Sequence, residues 1–149
     1  MAGSKNGMKS ALWGILLLVL SLPAWGQAAA DRYVGTWQGD IDGEPFVTLI
    51  LQKKGDDIGG TVVQNDFDLS EEGEVTNIKP TTRKGRIVSA EFTGKRLKIK
   101  AQNSLQGDRI RYMMELTEDD EGKLYLLVGG YDSPKIPPLT LKKVAVGKK

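Results

Sequence analysis

From Val34 onward, short apolar runs recur about every ten residues, broken by glycine, aspartate or asparagine, and no helical period persists through them. The run KRLKIKA alternates cleanly: Leu97, Ile99 and Ala101 point one way, while Arg96, Lys98 and Lys100 point the other, the pattern of a half-buried antiparallel strand. FVTLIL and LYLLVGG are apolar on both faces. This patterning predicts strands over 34–41, 45–53, 57–64, 73–79, 86–92, 96–102, 108–116, 123–130 and 139–144. The turns between them, IDGE, KKGDD, FTGK, LQGD and EDDEG, carry the glycine or aspartate that a positive φ requires. The prediction is an all-β antiparallel meander of eight or nine strands. Closing it into a barrel removes edges that would otherwise aggregate; a two-sheet sandwich is the alternative.

The N-terminus follows a different pattern. Lys5 and Lys9 precede a twelve-residue apolar run, Ala11 to Leu22, and PAWGQAAA then offers small residues for cleavage between Gly26 and Ala30. That is the layout of a secretory signal peptide, and the run is too short for the roughly 20 residues a bilayer core needs. Residues 1–28 are read as this leader and 29–149 as one domain, destined for the periplasm or the cell exterior. With no cysteine in the chain, one apolar core must hold that domain without disulfides.

The leader's two lysines account for the net charge of +2, leaving 19 basic and 19 acidic residues behind them. Such a balance argues against bulk nucleic-acid binding, and no membrane partner is expected once the leader is gone. The charges are segregated, however. Residues 40–74 hold ten acids against Lys53 and Lys54, whereas residues 75–111 hold ten bases against Glu91 and Asp108. Arg96, Lys98 and Lys100 form a basic stripe on one strand face, with Arg109 and Arg111 on the next strand. Like charges facing each other are unfavourable, so acids from the first half, an anionic surface or a partner should offset them.

With neither histidine nor cysteine, histidine-based triads, cysteine nucleophiles and ordinary zinc sites are excluded. DLSEEGEVTNIK places Asp68, Ser70, Glu72 and Glu74 in the order of a calcium loop, but its twelfth position is Lys79 where a bidentate glutamate is needed. No metal and no cofactor is expected. A Ser89 and Lys98 dyad lacks any nucleophile elbow, and no carboxylate pair stands out, so the chain is read as non-catalytic.

VGTWQGDI, with Gly35, Thr36 and Trp37 opening the first strand, resembles the Gly-x-Trp of the lipocalin and fatty-acid-binding (calycin) barrels. The sequence from VGTWQGDI through ILQKKGDDIGGTVV to IPPLTLKKV also resembles the β-rich accessory domains that precede secreted bacterial α/β-hydrolases and peptidases. It departs from the fatty-acid-binding pattern, since RIRY puts Arg111 beside Tyr112 on the opposite face, not in a ligand-gripping Arg-x-Tyr. The calycin resemblance implies a container for one small apolar or amphipathic molecule, with Leu49, Leu51, Val62, Ile99, Ile110, Tyr112 and Leu126 as interior candidates. Gly35 and Gly39 would leave room for Trp37 to plug one end. The accessory-domain resemblance implies an interaction module, meeting a protein partner or a second copy through the second face of the doubly apolar strands.

Overall fold

The structure, a computed structural model, describes residues 25–72, 74–103, 109–127 and 137–145. Helix α1 (Trp25–Tyr33) is followed by β1 (Gly35–Ile41), β2 (Glu44–Lys54), β3 (Asp57–Leu69), β4 (Val75–Thr93), β5 (Arg96–Asn103), β6 (Arg109–Leu116), β7 (Glu121–Leu127) and β8 (Leu139–Val144). Each strand pairs antiparallel with the next, and β8 returns to pair with β1, closing an eight-stranded meander barrel. The turn chemistry is as the sequence predicts at IDGE, where Asp42 and Gly43 both take positive φ, and at Gly55 and Gly94. The predicted turn LQGD and most of the leader lie outside the described residues.

Two expectations need correction. The segments 73–79 and 86–92, predicted as separate strands, are joined from Val75 onward in the single nineteen-residue β4. Pro80 and the polar run around it looked like a connection. In the barrel they fall where the β3–β4 ladder is irregular, between the pairs Asn65↔Thr82 and Phe67↔Ile78, so a missing proline N–H costs no regular pairing. The second correction is α1, which strand periodicity gave no means of finding. Its alanine-rich stretch favours helix, and Ala30 and Tyr33, three residues apart, bury on one side while Asp31 and Arg32 face solvent.

Alternation sorts the strands into a filled interior and a polar exterior. Trp37, Leu49, Leu51, Val62, Leu97, Ile99, Tyr112, Met114, Leu124, Leu126 and Leu141 are all buried in one core. Helix α1 seals the end formed by the β2–β3, β4–β5 and β6–β7 turns. The Tyr33 hydroxyl donates to the Lys95 carbonyl at 2.9 Å, and its ring meets Phe92 edge-on at 5.4 Å. Asp31 pairs with Lys53 at 3.0 Å and Arg32 with Asp119 at 3.1 Å. Both pairs are exposed and contribute little by themselves; burial of Ala30 and Tyr33 does the sealing.

Candidate ligand-binding site at the barrel mouth

Trp37 lies directly beneath α1 with no exposed surface, and its indole N–H donates to the Tyr33 carbonyl at 2.8 Å. A helix leaves its last carbonyls without partners, so this bond ties the plug to the cap. The Lys143 ammonium stands 5.2 Å from the centre of the Trp37 ring and reaches the Arg32 carbonyl at 3.5 Å. The glycines open space for other groups than the sequence suggested. A Cβ on Gly35 would lie 2.6 Å from Lys143 Cε, and one on Gly39 about 3 Å from Leu141 and Val47 methyls. Gly35 thus admits the lysine that stacks on the indole, and Gly39 admits its aliphatic neighbours.

The interior candidates divide. Leu49, Leu51, Val62 and Ile99 pack in the core, each no more than 2% exposed, and border no cavity at the mouth. Tyr112 is buried too, and its hydroxyl donates to Gln64 Oε1 at 2.5 Å across the barrel. Burial pushes the Tyr112 phenol well above its ordinary value of 10.0, so it remains a neutral donor. Ile110 and Leu126 alone of the seven line an open cavity, of about 440 Å³, at the end opposite α1.

Irregularities in β3 build this mouth. From Thr61 to Gln64, the strand pairs with β2 on one side and β4 on the other; beyond Gln64, its remaining pairs are with β4 alone. The ladder shifts register at Asp66 and again near Leu69, turning the end of the β3–β4 hairpin over the barrel. Phe67 then meets Phe46 edge-on at 5.3 Å, and Val75 and Ile78 pack toward the core. The hairpin is held by ion pairs from Arg83 to Asp66 and, at 2.7 Å, from Lys79 to Asp68. The Asp68 carboxyl is held below its ordinary value by hydrogen bonds from Lys79 and then Asn77.

The would-be calcium loop is therefore a hairpin turn, in which Lys79 neutralises Asp68 and Ser70 Oγ accepts from the Glu74 N–H at 3.1 Å. Among the described residues, no three acidic side chains converge as a metal site would require.

The cavity has apolar walls in Phe67, Ile110, Leu126 and Leu127, Gln64 at its base, and a charged border of Asp66, Asp68, Arg83, Arg109 and Arg111. Sequence reading missed Gln64, Phe67, Arg83 and Leu127. Gln64 carried a usable signal, because it continues the inward register of Ile58, Gly60 and Val62 and is the one polar residue fully buried among the described residues. The others depend on the hairpin's bend.

The basic stripe lies on the exterior. Register places Arg96 opposite Glu115, Lys98 opposite Met113, Lys100 opposite Arg111 and Gln102 opposite Arg109, so only one like-charge pair is directly apposed. Arg96 is bridged to Glu115 at 3.0 Å and lies over the Tyr125 ring at 5.5 Å. Ser89 is paired with Lys100, and Lys98 with Glu91, so Ser89 and Lys98 are diagonal neighbours. Among the described residues of the doubly apolar strands, Phe46 is buried, Tyr125 and Leu127 are half-buried, and Ile50 is 36% exposed. Comparison of the chain with protein-family models, curated proteins and solved structures returned no match.

Proposed function

We propose that the protein is an exported, non-catalytic barrel of calycin character that holds one small amphipathic molecule in its mouth. The observation that carries this reading is the cavity of about 440 Å³, with Phe67, Ile110, Leu126 and Leu127 on its walls and arginines at its border. Its size falls within the few hundred to a thousand Å³ of small-molecule sites, and apolar walls with a few polar groups are how such sites combine affinity with orientation. The filled lower barrel confines the ligand to this end, so the site is a shallow cup. Gln64, held from within the core by the Tyr112 hydroxyl, forms its floor, and Arg109, beside the Arg83–Asp66 pair, favours an acidic head group at the rim. The Gly-x-Trp at Gly35 and Trp37 supports the calycin character, and the leader-like residues 1–28 support work in the periplasm or outside the cell.

Native mass spectrometry of gently purified protein, compared with a denatured control, tests the reading. A lipophilic adduct should be present on the wild type, absent from Ile110→Asp, and retained by Lys98→Glu on the exterior. A bare mass for wild type, or an adduct indifferent to Ile110→Asp, would remove the mouth as the binding site.

A further inference from the structure

The exterior of β4 to β7 carries a second feature, which adjoins the mouth and shares Arg111 and Leu127 with it. Lys98, Lys100 and Arg111 border a groove of about 260 Å³, with Met113 and Leu127 between them and Ser89 and Glu91 along one side. Ile99 and Tyr112 face the core, so their neighbours Lys98, Lys100, Arg111 and Met113 face outward. Arg86 and Arg109 extend the basic field one row further, flanking Gln102 on β5.

Acids from the first half of the chain do not neutralise this field. Asp31, Asp66 and Asp68 are engaged by Lys53, Arg83 and Lys79, and Arg96 of the stripe is engaged by Glu115. Lys98, Lys100, Arg86 and Arg109 make no ion pair among the described residues. The neighbouring exterior over β1 to β3 presents Thr36, Gln38, Thr48, Ile50, Gln52, Thr61 and Val63, with Asp40 and Lys54 as charged residues toward its ends. One wall is thus richer in bases, with Glu91 opposite Lys98 as a carboxylate among them, and is interleaved with apolar side chains, among them Val88 at 45% exposure.

We propose, in place of the expectation that no membrane partner remains after the leader is gone, that this wall docks the barrel onto an anionic phospholipid surface. Charge complementarity selects the occupant. The cations sit on adjacent strands, roughly 5 to 7 Å from row to row, spread over a face and not converging on one point, which suits many head groups better than a single small anion. Lysines and arginines near such a surface each add modest attraction, and Met113, Leu127 and Val88 can enter the interface between them.

Sedimentation of the exported protein, freed of its leader, with phosphatidylglycerol and phosphatidylcholine vesicles, against phosphatidylcholine alone, tests the proposal. The chain should partition onto the anionic vesicles only and be released at about 1 M salt, where the Debye length is near 3 Å. Lys98→Gln with Lys100→Gln should weaken partitioning about thirty-fold. Lys54→Gln with Lys142→Gln, which removes the same charge elsewhere, should change it less than about three-fold. Near-ultraviolet circular dichroism of the buried Trp37 verifies that both variants are folded. Equal loss in the two variants, equal binding to both vesicle types, or no binding would overturn the proposal. Release by millimolar inorganic phosphate at constant ionic strength would also overturn it, in favour of a small-anion site.

Discussion

Trp37 joins three parts of the molecule at once: its indole fills the core, its N–H holds the last turn of α1, and its ring face receives the Lys143 ammonium. Replacing it by alanine should therefore cost about 3 to 5 kcal/mol through cavity formation alone. Urea unfolding measures this, and an unchanged midpoint would show that the end of the barrel does not depend on it. Tyr112 acts through one buried bond. Tyr112→Phe leaves Gln64 Oε1 without its donor and should cost about 1 to 3 kcal/mol. The same residue gives a pH dependence. Its folded-state ionisation lies above the ordinary value of 10.0, so the stability it adds is intact below that pH and declines as pH rises beyond it. Tyr33, raised mainly by burial, acts in the same direction. Denaturant midpoints should fall above pH 10 in wild type and fall less in Tyr112→Phe. Trp37 and Tyr112 were legible as inward residues because period-two alternation survives around them; the Gln64 partner was not, because the pairing crosses the barrel between positions 48 residues apart.

At the scale of elements, the regular strands were legible and the irregular ones were not. Leu139 to Val144 and the core of β5 follow from alternation, whereas α1 and the bent β3–β4 hairpin depend on what they pack against. Gly60 marks where β3 crosses closest to β2: at φ +138°, a Cβ would lie 1.8 Å from the Ile50 carbonyl oxygen. Gly60→Ala should destabilise the barrel by at least about 3 kcal/mol, since the obstacle is backbone and cannot rotate away. A thermal melt close to wild type would contradict that geometry. The hairpin beyond it should loosen in acid. The Asp68 pair with Lys79 is present above the ordinary carboxylate value of 3.8 and is lost as pH falls through the lowered one. Amide exchange, corrected for intrinsic rate, should therefore accelerate in 67–79 below that value while the core strands remain protected. Uniform acceleration would mean that the hairpin has no separate hold.

For the whole molecule, the decisive feature is how little of the barrel is hollow. Eight strands give an interior that side chains can fill, and here Trp37, Leu49, Leu51, Leu97, Ile99, Met114 and Leu141 fill the half nearest α1. Apolar alternation told which residues face inward but not whether their volumes leave space, and the cavity lies at one end only. The proposed binding site and the stabilising core are therefore separable by mutation. A probe such as a medium-chain fatty acid, saturating the mouth at a hundredfold excess over its dissociation constant, should stabilise wild type by about 2.7 kcal/mol. Ile110→Asp, at a half-buried mouth position, should lose that gain while leaving the unliganded barrel folded. Leu49→Ala, in the filled half, should lower baseline stability by about 2 to 5 kcal/mol yet keep the ligand-induced gain. Thermal melts of the three proteins with and without probe separate the cases: if Leu49→Ala abolishes the gain and Ile110→Asp does not, the ligand enters the packed half and the mouth is only its entrance.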